Sequence, residues 1–189
     1  MISVVDKNFI STISHIRFDP TKPCRQDIVI EDIAHALSLI SRANGHFTQF
    51  FSVARHSINC ALEAKERGHS TRVQLLCLLH DAAEAYIGDM TRPLKMKIPY
   101  FSEIEREYQK IIFAKFIADD ITDAEKQLTR NVDDTMLYHE FLTFNGEKLL
   151  AEEPEIHIDI KKDIKSPKET KAQFLSLFNE LQKEIKEES

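Results

Sequence analysis

The chain has 189 residues, of which 42% are hydrophobic and 30% are charged, and its net charge is −6. This composition is typical of a globular protein, neither disordered nor embedded in a membrane, and the length fits one domain. An acidic chain repels a phosphate backbone, which argues against general nucleic-acid binding. A small anionic ligand is still compatible with the negative net charge, because one metal ion and one arginine can make the local electrostatic potential positive.

The amino-terminal segment and the cysteines indicate in which cellular compartment the protein is expected. No apolar run approaches the roughly 20 residues needed to cross a bilayer, and the start of the chain lacks the pattern of a secretory leader. We therefore expect a cytoplasmic protein with no membrane partner. Three cysteines form no even disulfide framework, and Cys60 and Cys77 lie in apolar helical patterns. We expect these two to be buried free thiols.

Residues 1–30 are the least helical part of the chain. Two β-branched runs, FISTISHIRF and DIVI, flank the sequence DPTKPCRQ, whose prolines break a helix. This pattern predicts an extended arm, with a small hairpin as one form of it, packed on a helical body. The body is predicted to be all-α, because only four glycines occur and long periodic segments lie between them.

The periodic segments predict six helices that start or end at capping residues, glycines or prolines. Their expected bounds are residues 31–45, 52–67, 70–88, from 102 onward, 122–146 and from 166 onward. Capping boxes are expected to open the fourth helix, at Ser102 with Glu105, and the fifth, at Thr122 with Glu125. Residues 183–189 are expected to form a frayed tail.

The third predicted helix contains the most informative polar residues. His80 and Asp81 follow the apolar run LLCLL, Glu84 comes one turn later, and Asp89 follows Gly88. Burying an imidazole and carboxylates costs free energy unless they are paired. On a helix, His80 and Asp81 would differ by about 100° and could reach one ion together. A buried hydrogen-bonded His–Asp pair without an ion is the alternative.

Two other predicted helices each direct one ligand-type residue inward. His56 lies on a face of the second helix that consists of small apolar residues. The alternative to a metal ligand is a histidine that simply packs in the core. In the fifth helix Asp133 falls on the apolar stripe and Asp134 on its flank, and a capped or ion-paired aspartate is the alternative. Two histidines with two carboxylates suit Mn²⁺, Co²⁺, Ni²⁺, Zn²⁺ or Fe²⁺ better than Ca²⁺.

The order of these residues resembles the HD-domain metal-dependent phosphohydrolases. The segments that carry the likeness are RHS, LHDAAEAYIGD and VDD. The extension HDxxE…GD after an SVARHS helix is similar to the branch that contains bacterial 5′-deoxynucleotidases. The resemblance covers roughly residues 31–145 and implies an HD-domain helical bundle with its core there. The arm at 1–30 and the C-terminal helix and tail at 166–189 belong to the same predicted single domain but are not needed for the resemblance. The likeness also implies one divalent ion, held by His56, His80, Asp81 and Asp133.

The resemblance also implies a phosphate-binding arginine on the helix before the first ligand. The matching residue is Arg42. The residues themselves place Arg42 on a polar line of the first predicted helix with His35, Ser38 and His46. An ordinary solvated face is the alternative interpretation of that line, above all for the two histidines.

The family's glutamate and GD aspartate match Glu84 and Asp89, which implies catalytic roles for both and a place for Asp89 near the sugar or Arg42. The branch often has a tryptophan after the arginine, but this chain has Ala43 there and no tryptophan. Base stacking would need another aromatic residue. Three phenylalanines could supply it, although core packing explains them equally: Phe47, Phe50 and Phe51.

These observations lead us to expect a metal-dependent phosphatase of nucleoside 5′-monophosphates, with a small-molecule nucleotide as its partner and a homodimer as a compatible state. One alternative is hydrolysis of a nucleoside triphosphate, a cyclic nucleotide or a guanosine polyphosphate at the same site. Arg92, Lys95 and Lys97 would then supply extra positive charge, unless they are ordinary surface residues. A non-catalytic nucleotide-binding module is the alternative of a different class.

Overall fold

The computed structural model describes residues 9–117, 120–160 and 165–188. In these ranges the architecture is helical, with one two-stranded antiparallel sheet near the amino-terminal end. Strand β1 (Ile10–Ser11) pairs with β2 (Arg17–Phe18). The predicted all-α class with a hairpin arm is confirmed, and residues 1–8 of that arm lie outside the described ranges.

Helices make up the rest of the regular structure. In chain order they are α1 (Ile30–Leu39), α2 (Val53–Glu66), α3 (Thr71–Leu79), α4 (Glu84–Ile87), α5 (Arg92–Lys95), α6 (Pro99–Phe116), α7 (Asp123–Asn145) and α8 (Pro167–Glu188). Helix α3 is central, since residues 73–79 are all buried and it contacts α2, α6, α7 and α8. No helix among the described residues has the length and apolar character needed to span a membrane.

Most helix ends follow local sequence signals. Ser52 caps α2 by accepting a hydrogen bond from the amide of Arg55 (3.2 Å), and Thr122 with Glu125 forms the predicted capping box of α7. The capping box predicted at Ser102 is wrong, because α6 already starts at Pro99. A proline suits the first helical turn, since its φ angle is preset and its missing N–H has no intrahelical partner there.

The carboxyl end of the chain is more ordered than the sequence predicts. Helix α8 continues to Glu188 instead of fraying from residue 183. Leu181 is buried, and the half-buried Ile185 packs against the core. These contacts hold the last turns, which local composition alone does not predict.

The predicted third helix is interrupted at the His–Asp pair. Helix α3 ends at Leu79, and a tighter turn follows, with hydrogen bonds from the amide of Ala82 to the carbonyl of Leu79 (3.1 Å) and from Glu84 to Asp81 (3.0 Å). The imidazole Nδ1 of His80 donates to the carbonyl oxygen of Cys77 (2.7 Å). In a continuous α-helix that carbonyl would accept the amide of Asp81. The prediction that a helix displays His80 and Asp81 is therefore wrong.

The first predicted helix also ends early. Helix α1 stops at Leu39, and Arg42 opens a 3₁₀ turn (Arg42–Gly45). The backbone beside Arg42 pairs with the start of α2, because the amide of Arg42 donates to the carbonyl of Phe51 (2.8 Å). The predicted polar line on one helix is thus wrong: Ser38 is buried and donates to the carbonyl of His35 (2.7 Å), while Arg42 lies beyond the helix.

Candidate metal centre

The four predicted metal ligands come together in the structure. His56 extends from α2, His80 and Asp81 from the turn after α3, and Asp133 from α7. His56 Nε2 lies 3.2 Å from His80 Nε2 and 3.1 Å from Asp133 Oδ1. His80 Nε2 lies 3.2 Å from Asp81 Oδ2. Two imidazole nitrogens and two carboxylates therefore face one small region.

Hydrogen bonds on the far side of each ring determine which nitrogen faces this region. His56 Nδ1 lies 2.6 Å from Glu140 Oε1, and His80 Nδ1 lies 2.7 Å from the carbonyl oxygen of Cys77. Both partners are acceptors, so each Nδ1 carries a proton and donates it. In the neutral rings, the Nε2 lone pairs then point at each other and at two carboxylates. This donor set suits a cation and matches the arrangement that orients histidine ligands of metals.

Arg42 belongs to the same cluster. Its Nη1 lies 3.2 Å from Asp81 Oδ2, its Nη2 lies 3.5 Å from Asp133 Oδ1, and its Nε donates to Glu140 Oε2 (3.2 Å). Burial lowers the pKa of the guanidinium, but the three carboxylates hold it above its usual value. Arg42 is therefore charged, and it lies beside the predicted ligands.

The pKa shifts of the histidines and carboxylates also indicate that this cluster favours a positive charge. Burial lowers the pKa of His80, but Asp81 and Asp133 raise it well above 6.5. Burial raises the pKa of Asp133, but hydrogen bonds with His56 and His80 bring it well below 3.8. The ionised carboxylates thus favour a cation at the imidazole nitrogens. A divalent metal ion satisfies that demand.

Cys60 is an additional candidate metal ligand, which the sequence did not suggest. Its sulfur lies 3.5 Å from His56 Nε2, and ligand atoms of His56, Cys60, His80 and Asp133 all lie within 4.8 Å of one another. Burial, with Asp133, raises the pKa of this thiol well above 9.0. Asp81 is ionised, because His80 outweighs the effect of burial on its pKa. Asp81 therefore remains a predicted metal ligand.

Glu140 is the residue that the sequence interpretation missed. It is fully buried in α7 and binds both His56 and Arg42. A signal for it did exist: Glu140 lies seven residues after Asp133, two helical turns along the same face. A carboxylate buried on an apolar stripe needs a partner.

A cavity of about 290 Å³ opens onto the cluster. The carboxylates of Asp81, Glu84 and Asp89 are among its lining groups, together with the apolar residues Leu137 and Phe141. Glu84 is only 3% exposed, and its Oε2 has no hydrogen-bond partner in the protein. Burial, with Asp81 and Asp89, raises the pKa of Glu84 well above 4.5. Burial also raises the pKa of Asp89.

The phenylalanines considered for base stacking lie elsewhere. Phe47 and Phe51 are buried, with ring centroids 5.2 Å from Phe141 and 4.8 Å from Phe144, respectively. Phe50 is exposed, and none of the three lines the cavity. Core packing is therefore the interpretation that the structure supports for Phe47 and Phe51.

The other polar candidates are also dispersed. His46 is exposed, and His35 lines a different cavity beneath the amino-terminal hairpin. Arg92 and Lys95 line the cavity at the cluster, whereas Lys97 does not.

A model of the HD domain family matches residues 45–141, just over half of the chain. The chain therefore belongs to the HD-domain family, whose members are generally metal-dependent hydrolases. Its polar cluster of histidine and carboxylate groups could hold the metal of such an enzyme. Arg42 precedes the matched residues.

Two relatives are similar in sequence to part of this chain. The uncharacterized protein YfdR of Escherichia coli is 37% identical over 109 residues, which is 58% of each chain. An uncharacterized protein of Rhodobacter capsulatus is 41% identical over 90 residues, which is 46% of each chain. The chain thus matches less than two thirds of the length of these relatives.

Proposed function

We propose that this protein is a metal-dependent phosphatase that releases phosphate from nucleoside 5′-monophosphates. The observation that carries the proposal is the cluster of His56, His80, Asp81 and Asp133 at a cavity that Arg42 also lines. A charged guanidinium thus lies beside a site suited to a divalent metal.

The proposed ligands are the Nε2 atoms of His56 and His80 with the carboxylates of Asp81 and Asp133. This mixed nitrogen and oxygen set suits Mn²⁺, Co²⁺, Ni²⁺, Zn²⁺ or Fe²⁺. When bound, the ion would supply Lewis-acid activation of water and of the phosphoryl group. Glu140 would keep His56 in the tautomer that presents Nε2.

Arg42 would bind the phosphate. Its guanidinium lines the cavity and already binds carboxylates through several of its N–H groups. Two oxygens of a tetrahedral phosphate group offer the same kind of paired acceptors. Because the guanidinium stays charged when buried, it can neutralise an anionic substrate in a protein whose net charge is negative.

Glu84 would act on water in this reaction. Glu84 lines the cavity, and its carboxylate can accept the proton of a water molecule that attacks phosphorus. The bond between phosphorus and the 5′ oxygen then breaks, and the leaving oxygen takes up the proton that Glu84 received from water, which gives the nucleoside and inorganic phosphate. The raised pKa of Glu84 makes it a stronger base than an exposed glutamate. Asp89 would accept a hydrogen bond from the sugar.

A longer phosphate chain is the second candidate substrate, because Arg92 and Lys95 line the same cavity. Lys95 already binds Glu105, and it lies 3.9 Å from Glu84. Arg92 lies 3.4 Å from Asp134 at the surface. If triphosphates are the substrates, Arg92→Ala should reduce kcat/KM for a triphosphate more than for the matching monophosphate.

The test combines metal analysis with phosphate release. The purified protein is dialysed against chelator, reloaded with each metal in turn, and assayed on 5′-monophosphates, 3′-monophosphates, triphosphates and cyclic nucleotides. We expect metal-dependent release from 5′-monophosphates, and a loss of about 10²–10⁴-fold in turnover for Glu84→Gln with its metal retained. Nucleotide binding without hydrolysis under any metal would favour the binding module instead.

A further inference from the structure

The side chain of Gln109 reaches from α6 into the break between α3 and α4. Its Nε2 donates to the carbonyl oxygen of Leu79 (2.6 Å), and its Oε1 accepts the amide proton of Ala83 (3.3 Å). A carbonyl only accepts and a backbone N–H only donates, so these two partners also fix the orientation of the carboxamide. Leu79 and Ala83 lie on either side of the turn that carries His80 and Asp81.

The two backbone groups that Gln109 binds are those that a continuous helix would join to each other. In an α-helix the amide of residue 83 donates to the carbonyl of residue 79. The carboxamide takes the place of that hydrogen bond, and a side chain inserted in this way opens a helix at the point of insertion. Leu79 and Ala83 are 0% and 1% exposed, so solvent has little access to either residue.

The open turn carries two of the predicted metal ligands. His80 Nε2 lies 3.2 Å from Asp81 Oδ2 in this conformation. Gln109 also lines a cavity of about 380 Å³ together with His80 and Asp133, so its side chain lies close to the ligands without being one of them. If the helix closed over residues 79–83, His80 and Asp81 would take helical positions, and their directions relative to Asp133 would change.

We infer that Gln109 is a positioning residue of the metal centre. By replacing one helical hydrogen bond, it holds the turn in the conformation that directs His80 and Asp81 at the ion. The inference rests on the proposed metal site, but not on the identity of the substrate. The alternative is a tether that joins α6 to the end of α3 and has no effect on the ligands, and the coordination of a bound metal distinguishes the two.

The test is Gln109→Met. Methionine has a similar length, but it cannot donate to Leu79 and is at most a weak acceptor for Ala83. The two backbone groups then either pair with each other, which closes the helix, or stay unpaired in the core. In both cases we expect Co²⁺ to bind about 10–100-fold more weakly in equilibrium dialysis. The exposed Lys110→Met, on the same helix, is the matched control and should bind Co²⁺ like wild type.

The visible absorption spectrum at saturating Co²⁺ separates positioning from stability, because it reports the ligands around the ion and not the free energy of folding. We expect this spectrum to change in Gln109→Met and to stay unchanged in Lys110→Met. Gln109→Glu gives the same test if Gln109→Met fails to fold. The ionised carboxylate keeps the size and the acceptor for Ala83 but loses the donor to Leu79, so it should also weaken binding and change the spectrum.

Wild-type affinity in a folded Gln109 variant would overturn the inference, as would weaker binding with an unchanged spectrum. The failure of the inference can be told apart from the failure of the proposed function. A wild-type protein that binds no Co²⁺ would overturn both, whereas Co²⁺ binding without phosphate release from any nucleotide would contradict only the proposed function.

Discussion

Glu140 connects the two groups that the proposed reaction needs most. One carboxylate oxygen accepts the Nδ1 proton of His56 (2.6 Å), and the other accepts the Nε proton of Arg42 (3.2 Å). The first bond leaves the Nε2 of His56 available for a metal, and the second holds the guanidinium beside Asp81. Glu140 is thus a positioning residue for both, since it does not line the cavity.

Glu140→Gln keeps the side-chain volume but removes the negative charge and one of the two acceptor oxygens. The amide oxygen can still accept from His56, but the amide nitrogen then faces the Nε donor of Arg42, so one bond must be lost. We expect metal affinity and kcat/KM to fall about 10–100-fold, with helix content unchanged. Equilibrium dialysis with the metal, steady-state kinetics and circular dichroism measure these effects. The exposed Glu147→Gln is the control and should behave as wild type.

Asp81 and Cys60 are competing candidates for the fourth ligand. The carboxylate of Asp81 is ionised and lies 3.2 Å from His80 Nε2, whereas the thiol of Cys60 is buried and protonated. We therefore expect Cys60→Ala to retain one equivalent of metal and Asp81→Ala to lose it. Elemental analysis of the dialysed proteins decides between them. A metal-replete Asp81→Ala with an empty Cys60→Ala would reverse the assignment.

At the scale of the elements, helices with local signals were predictable and the site's two turns were not. Helix α7 begins at the capping box of Thr122 and ends at Gly146, whose left-handed φ of 69° favours glycine. The break after Leu79 depends on the side-chain bond of His80, and the position of Arg42 depends on backbone pairing with Phe51. The hydrophobic periodicity of the sequence contains no information about such contacts, so it could not predict the two turns.

The rotational phase of α7 was also predictable from its apolar stripe, and it gives a direct test. Asp133 Oδ1 lies 3.1 Å from His56 Nε2, whereas Asp134 is exposed and lies 3.4 Å from Arg92. Asp133→Asn should abolish metal binding and turnover, while Asp134→Asn should keep most of both. Metal content and phosphate release of the two variants form a matched comparison. Loss of metal from Asp134→Asn alone would contradict the proposed site.

The end of α2 holds the segment after α7 through Glu63. This fully buried carboxylate accepts hydrogen bonds from Arg67 Nε (2.8 Å) and from the amide (2.9 Å) and Nδ1 (2.8 Å) of His157. Burial raises the pKa of Glu63, but these hydrogen bonds outweigh it and bring the pKa below 4.5. A depressed pKa in the folded state adds stability above the unfolded pKa, and this stability is lost as pH falls through the folded pKa.

We therefore expect Glu63→Gln to lower the free energy of unfolding by about 1–3 kcal/mol at neutral pH. The difference from wild type should narrow as the pH falls below 4.5, because the wild-type carboxylate then takes up its proton. Urea denaturation of both proteins across this range measures it. The exposed Glu103→Gln should show no such convergence. A difference that stays constant with pH would mean that the charge of Glu63 contributes nothing.

At the scale of the whole molecule, the C-terminal helix completes the core of the HD domain. Helix α8 lies beyond the family match at residues 45–141, yet it contacts α1, α2 and α3. Its buried apolar residues are Phe174, Phe178 and Leu181. Since α2 and α3 lead to His56 and His80, α8 packs against two of the elements that position the metal cluster.

Phe174→Ala tests this dependence. Phe174 is fully buried, so its truncation removes apolar contacts and leaves a cavity among α8 and its neighbours, at a cost of about 3–5 kcal/mol. Ser176→Ala, on the exposed side of the same helix, should change stability by less than about 0.5 kcal/mol. Urea denaturation gives both values, and metal titration at a temperature where each variant is folded shows whether the cluster is retained. A Phe174→Ala protein as stable as Ser176→Ala would mean that α8 is dispensable for the core, and the metal cluster would then depend only on the elements between α1 and α7.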